Sequence, residues 1–326
     1  MDYTPAPSTD ITAAFTDANF LAAVRTLVGK PTGSILYSDV SGITELDVNY
    51  EQLSNLNGIE YFTALQSLGC SANQLTMLDV SRNAALTHLK CDNNQLTTLD
   101  LSKNTALTNL DCGYNKLTTL DVSKNTALEW LHCNNNRLTT VDVSKNTALT
   151  TLACHRNQLT TLDVSKNTAL IDLRCWNNQL TTLDLSKNTA LRWLYGEYNQ
   201  LTTLDVSKNT ALQDLDCSSN QLTTLDISKN TALTHLQVQY NYLPSETAII
   251  GLAASGLIER ADVNELFAQR VFLCAEQYAV REKYSAPPRL WVKTFQNVLK
   301  ERVVGASLRR CSEKVAPVFV RRECRY

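Results

Sequence analysis

Apolar positions in the middle of this chain follow one short rule, repeated with almost no change. From Leu65 the segment LQSLGCSANQ runs leucine, two variable residues, leucine, one variable residue, cysteine, two more residues, then asparagine and glutamine. An eleven-residue partner of the form LTTLDVSKNTA follows it, and the pair recurs every 21 residues. The first half starts nine times, from Leu65 to Leu233, and the second half eight times, from Leu75 to Leu222. Such spacing of leucines with a closing asparagine is the leucine-rich-repeat signature.

Leu68 and Cys70 alternate with period two, which predicts a short strand with one buried face before Asn73 turns the chain. Leu78 and Val80 carry the same alternation in the second half, and Asn83 closes it. One coil cannot bury its leucines alone, so neighbouring coils must stack and share a core. The column Asn73, Asn94, Asn115 and onward is expected to bond backbone groups of the adjacent coil. The predicted fold is a leucine-rich-repeat solenoid with stacked parallel β-strands on two sides and little helix in the repeats. It is closed by an α-helical N-terminal cap and continued by a helical C-terminal extension.

The pattern changes at both ends. Residues 1–10 are rich in Pro, Ser and Thr and read as a disordered leader. Residues 11–42 form the cap: Asp17 can start a helix whose Phe20, Val24 and Leu27 share one face, and Gly29 stops it. The solenoid spans 43–243. Residues 244–256 then read as a cap helix, with Ser245 at its start and Gly256 at its end. Residues 257–326 form a basic tail with two open readings, a small helical module or a poorly folded extension of different origin.

The N-terminal stretch FTDANFLAAV, together with ITELDV and LNGIEYFTAL, resembles the cap and first repeat of internalin-like bacterial surface proteins. The nested 21-residue block resembles the IRREKO subclass of bacterial leucine-rich repeats. This likeness runs from about Ile11 to Leu243, and it implies a binding module that is secreted or held at a bacterial cell surface. No signal peptide is read in MDYTPAPSTDIT, and no anchor is visible in the chain.

Charge refines the picture. The net charge of −2 divides into +6 from Leu257 onward, with 14 Lys and Arg against 8 Asp and Glu, and −8 before it, with 16 against 24. An acidic repeat body argues against nucleic acid as partner. No run approaches the roughly 18 apolar residues that a membrane span needs. Seven of the ten cysteines occupy one column, Cys70 to Cys217, replaced by Gly196 and Val238 in two copies. Side chains in one parallel column point the same way, so they are expected as a ladder of free, buried, small hydrophobes.

Candidate chemistry is concentrated in the variable positions of the first half. All four histidines and three of the four tryptophans lie there, whereas the second half barely changes. Stacking predicts one aromatic patch over four coils, made by Trp130, His132, His155, Trp176, Trp193, Tyr195 and Tyr198. Lys90, Asp111, Tyr114 and Arg174 complete the predicted partner-binding set. His132 and His155 lack the convergent third ligand that zinc requires, so no metal and no cofactor are expected. The column Asp79 to Asp226 stacks eight carboxylates, for which the Lys column three residues later is the expected compensation. No catalytic set is read, and Cys274, Cys311 and Cys324 of the tail carry no C-x-D of repeat-linked ubiquitin ligases. The resulting reading is a monomeric, non-enzymatic module that binds a protein or a cell-surface glycan, of adhesin or internalin-like type. The alternative is a purely structural solenoid, calcium-binding or ice-binding.

Overall fold

Each first half yields a strand of three residues, outward at both ends and leucine in the middle. A computed structural model describes residues 5–255 and residue 257. The expected tail therefore lies outside the described residues, apart from Leu257. The chain divides into two units, Met1–Arg260 and Ala261–Tyr326, and every described residue belongs to the first.

Ten strands, beginning with Glu45–Asp47, Ser67–Gly69 and His88–Lys90 and closing with His235–Gln237, form one parallel sheet. Register is exact to the repeat: Leu68 lies against Leu89, Leu89 against Leu110, and so on to Leu215 against Leu236. A slip of one residue would turn every buried leucine outward, so the alternation itself enforces this register. The seven ladder cysteines are free and fully buried. Burial pushes their thiols up, to about 12 at Cys133 and Cys175.

The asparagine column binds coil to coil. Asn136 Nδ2 donates to the carbonyls of Cys112 (3.0 Å), in the preceding coil, and Cys133 (3.1 Å), in its own. Its Oδ1 accepts from the Leu117 amide of the preceding coil at 2.9 Å. Just before each of these asparagines the chain turns through a left-handed residue, from Ala72 (φ 54°) to Tyr240 (φ 58°), and none of the nine is glycine. The strain of that conformation is a recurring cost of the tight turn.

The second side differs from the first more than its sequence alternation suggests. Among the described residues it carries one two-residue parallel pair, Leu225–Asp226 with Ile249–Ile250, and no other strand pairing. Side chains take the place of the ladder. Asn104 Nδ2 donates to the Val80 and Asn83 carbonyls of the preceding coil, both at 3.0 Å, and Asp79 Oδ1 accepts the Ser81 amide at 2.9 Å. The Asp column is thus held ionised chiefly by serine hydroxyls and amides, with Arg82 or the lysines a smaller influence. This corrects the expectation that lysines supply the compensation: a hydrogen bond to the carboxylate outweighs a solvated charge further away.

At the N-terminal end Asp17 caps the helix Ala18–Leu27, its Oδ1 accepting from the amides of Asn19 (3.0 Å) and Phe20 (3.1 Å). Phe20 and Val24 are fully buried, but Leu27 is 46% exposed, and Ile35 and Val40 fill the core there. Phe20 packs with Phe15 and Phe62 over the first coil. Within the expected disordered leader, residues 5–10 are docked instead. Tyr37 donates its amide to Thr9 O at 2.9 Å, Ser38 to Pro7 O at 3.0 Å, and Asp10 bridges Leu36.

The expected helix after Ser245 is replaced by one 3-10 turn, Glu246–Ala248, with no side-chain cap, followed by the strand Ile249–Ile250. Two β-branched residues complete a pair with the last second half better than they continue a helix. Gly251 then turns at φ +88°, where an added Cβ would lie 2.7 Å from Ser228 Cα.

Candidate functional site

Strand alternation turns the first and third residue of each strand away from the leucine core, with Ala153, Asp172 and Asp216 nonetheless buried, and the left-handed turn projects two further columns beside them. All eleven residues of the predicted set lie in these four columns. The structure brings some of them together and leaves others apart.

Trp130 and His132, two residues apart on one strand face, pack with ring centroids 3.5 Å apart and planes tilted by 34°. His132 Nδ1 lies 3.7 Å from Asp111 Oδ2 on the adjoining strand. In the next two coils His155 and Trp176 stack nearly parallel, 4.4 Å apart at 9°, and the Arg156 guanidinium lies 4.7 Å from the Trp176 ring centre. Arg174 grips Asp172, with Nη2 at 2.7 Å and Nε at 3.1 Å, and lies 5.8 Å from the Tyr195 ring centre. Tyr195 donates its hydroxyl to Asp214 Oδ2 at 3.3 Å.

The single patch expected from the sequence is therefore a chain of separate stacks. Register explains this: Trp130 pairs with Asn109 and Thr151, and Trp193 with Asp172 and Asp214, so neither has an aromatic neighbour in its own column, whereas Trp176 follows His155 in the column they share. Trp193 and Tyr198 stand more exposed, at 37% and 60%, outside these ring contacts. Tyr114 is 49% exposed, and Lys90 lies exposed between Gly69 and Asp111, toward the N-terminal coils.

Electrostatics divide the face. Burial, with the Arg174 and Arg156 guanidinium groups nearby, holds the His155 ring down to about 4, so it is neutral at pH 7. Burial and the charges of Asp216 and Asp214 lift Glu197 to about 7, against its own backbone amide. Burial also raises Asp216, although the Ser218 hydroxyl and amide oppose this. His132 Nε2, His155 Nδ1 and Glu197 Oε2 are enclosed and meet no hydrogen-bond partner among the described residues. Groups in that condition favour a ligand that supplies the missing donor or acceptor.

Sequence reading passed over Arg156, Asp172, Glu197, Asp214 and Asp216. Their signal was present, because they occupy the same variable columns, but the aromatic residues drew the selection. Among the described residues no set of three His, Cys, Asp or Glu converges as a metal site, and no helix is long and apolar enough to cross a membrane.

No protein-family model matches the chain, and no curated protein sequence matches it either. Among solved structures, the functional domain of InlJ from Listeria monocytogenes, which includes a cysteine ladder, is similar at 41% identity and a TM-score of 0.72. The match covers 74% of this chain and 55% of that one, so this chain spans about half the length of that relative. Internalin C2 from Listeria monocytogenes matches at 22% identity and a TM-score of 0.60, over 68% of this chain and 100% of that one. A leucine-rich-repeat protein from Leptospira interrogans matches at 24% and 0.51, over 64% and 69%. The last two share the fold.

Proposed function

Because this chain is an internalin-like leucine-rich-repeat protein, we propose that it is a protein-interaction module that binds its partner through the variable strand face. One observation carries the reading. Within a body whose second half repeats almost unchanged, the exposed first-half columns vary freely and hold three tryptophans, four histidines and two arginines stacked on rings. Tryptophan, tyrosine and arginine are the side chains that dominate binding energy at protein interfaces. The likeness to the InlJ functional domain supports a module that acts outside the cell, secreted or held at a bacterial surface. No catalytic role is assigned to any residue of the face.

The test begins with capture of a partner from cell-surface protein by the immobilised chain. Affinity is then compared between the parent, the triple variant Trp130→Ala, Trp176→Ala, Trp193→Ala, and a control with Thr118, Thr139 and Thr160 of the second side changed to Ala. Loss of hot-spot tryptophans is expected to weaken binding at least ~100-fold, about 3 kcal/mol, with the control unchanged. Equal affinity of the tryptophan variant and the parent would overturn the proposal, as would loss of binding in the threonine control.

A further inference from the structure

The strand face is not uniform in charge along the solenoid. In the coils around Trp176 the face carries two basic side chains: Arg156 lies on the Trp176 ring, and Arg174 is held by Asp172. One and two coils further on the sign reverses. Glu197, Asp214 and Asp216 lie near one another, and among the described residues none of them forms an ion pair with a basic side chain. Trp193 pairs in register with Asp214, Tyr195 pairs with Asp216, and Tyr198 stands exposed in the column beside Glu197.

Resting on the proposed function, we infer that this C-terminal part of the face receives a basic side chain, a lysine or arginine, of the partner protein. Trp193 and Tyr198 would pack along its aliphatic stem or beneath its cationic head, and Glu197, Asp214 and Asp216 would accept its hydrogen bonds. Three observations support that occupant over an apolar or acidic one. The carboxylates repel one another and, among the described residues, no basic side chain pairs with them, so a cation relieves a cost already present. Glu197 Oε2 is enclosed and lacks a hydrogen-bond donor, which a guanidinium or ammonium supplies. Exposed Trp and Tyr rings attract a cation placed over them. An acidic group here would add a further like charge to the cluster, and an apolar one would leave the Glu197 oxygen without a donor.

A hexa-arginine peptide serves as the probe, titrated by calorimetry into the full chain, with hexaglutamate as the opposite-charge control. The expected result is binding of the arginine peptide alone, weakened tenfold or more by the triple variant Glu197→Gln, Asp214→Asn, Asp216→Asn. Those isosteric changes keep the acceptor oxygens, including the one that Asp216 offers to Ser218. Should the triple variant fold poorly, Glu197→Lys alone is expected to cause a comparable loss. Removing the same number of charges from the second side, by Asp100→Asn, Asp121→Asn and Asp142→Asn, should leave affinity unchanged. Equal weakening by the two triple variants would mean that only net charge is sensed and would overturn the inference, as would unchanged binding in the face variant. If the tryptophan variant abolishes partner binding while the carboxylate variant does not, the interaction face stands and this occupant falls.

Discussion

Two asparagine columns look alike in the sequence, yet the structure predicts that they are worth very different amounts. Asn136 represents the first and Asn125 the second, both in the middle of the array. Changing Asn136 to Ala removes the bonds to the Cys112 and Cys133 carbonyls and strips the buried Leu117 amide of its acceptor. Those carbonyls keep Asn115 and Asn157 as donors, so Leu117 N–H is the one group left bare. An orphaned buried amide costs ~1–3 kcal/mol and each lost bond about 1, giving roughly 3–5 kcal/mol.

Asn125 donates to Leu101 O at 3.1 Å and Asn104 O at 2.8 Å. Both carbonyls also accept backbone amides, from Asn104 and Leu107, so the Ala variant leaves no carbonyl bare. Its own buried Oδ1 has no partner, and losing it removes a standing penalty. Asn125→Ala is therefore expected to cost about 1–2 kcal/mol, some 2 kcal/mol less than Asn136→Ala. Urea unfolding of the full chain, followed by circular dichroism, measures both midpoints. If Asn125→Ala proves as destabilising as Asn136→Ala, the reasoning from partner satisfaction is wrong.

Two further outcomes follow from the same structure. Ala72 sits at φ 54°, so Ala72→Gly should relieve about 1–2 kcal/mol of left-handed strain against about 0.5–1 kcal/mol of added chain entropy. A raised urea midpoint is expected, and a lowered one refutes the argument. Glu197 is raised in the folded chain, from 4.5 to about 7, so its native form holds a proton that the unfolded form releases. Its contribution to stability therefore falls as pH rises from about 4.5 to 7, by roughly 1–2 kcal/mol once its partial exposure is allowed for. Glu197→Gln should match the parent in thermal unfolding near pH 4 and exceed it at pH 8; a constant difference between the two proteins at both pH values would refute the assignment.

Much of the fold was legible because its causes are local and periodic. Leu68 and Cys70 alternate, Asn73 turns, and the 21-residue period stacks them in register. The inequality of the two sides was not legible, since Leu78 and Val80 alternate in the same way. What separates them is hydrogen bonding by side chains: Asn104 and Asp79 occupy backbone groups that a ladder would otherwise use. Ile249 and Ile250 read as helix from their surroundings and became a strand because Leu225–Asp226 lay open to pair with them. At the face, the columns were legible and the contacts between them were not. Whether Trp130 meets His132 or a ring of the next coil depends on how rings turn between columns, which no one-dimensional pattern encodes. Glu197 and Asp216 were visible as letters, but their unusual ionisation arises only once burial and three neighbouring carboxylates coincide.

Each asparagine bond reaches one coil back and no further, from Asn94 to Cys70 through to Asn241 to Cys217. Recombination that inserts or deletes one whole repeat therefore leaves every remaining bond with a partner of the same kind. It lengthens or shortens the face by about 4.8 Å and shifts each aromatic stack past the others by one rung. Copy number is thus a heritable dial on the spacing between subsites, adjustable without redesigning any coil.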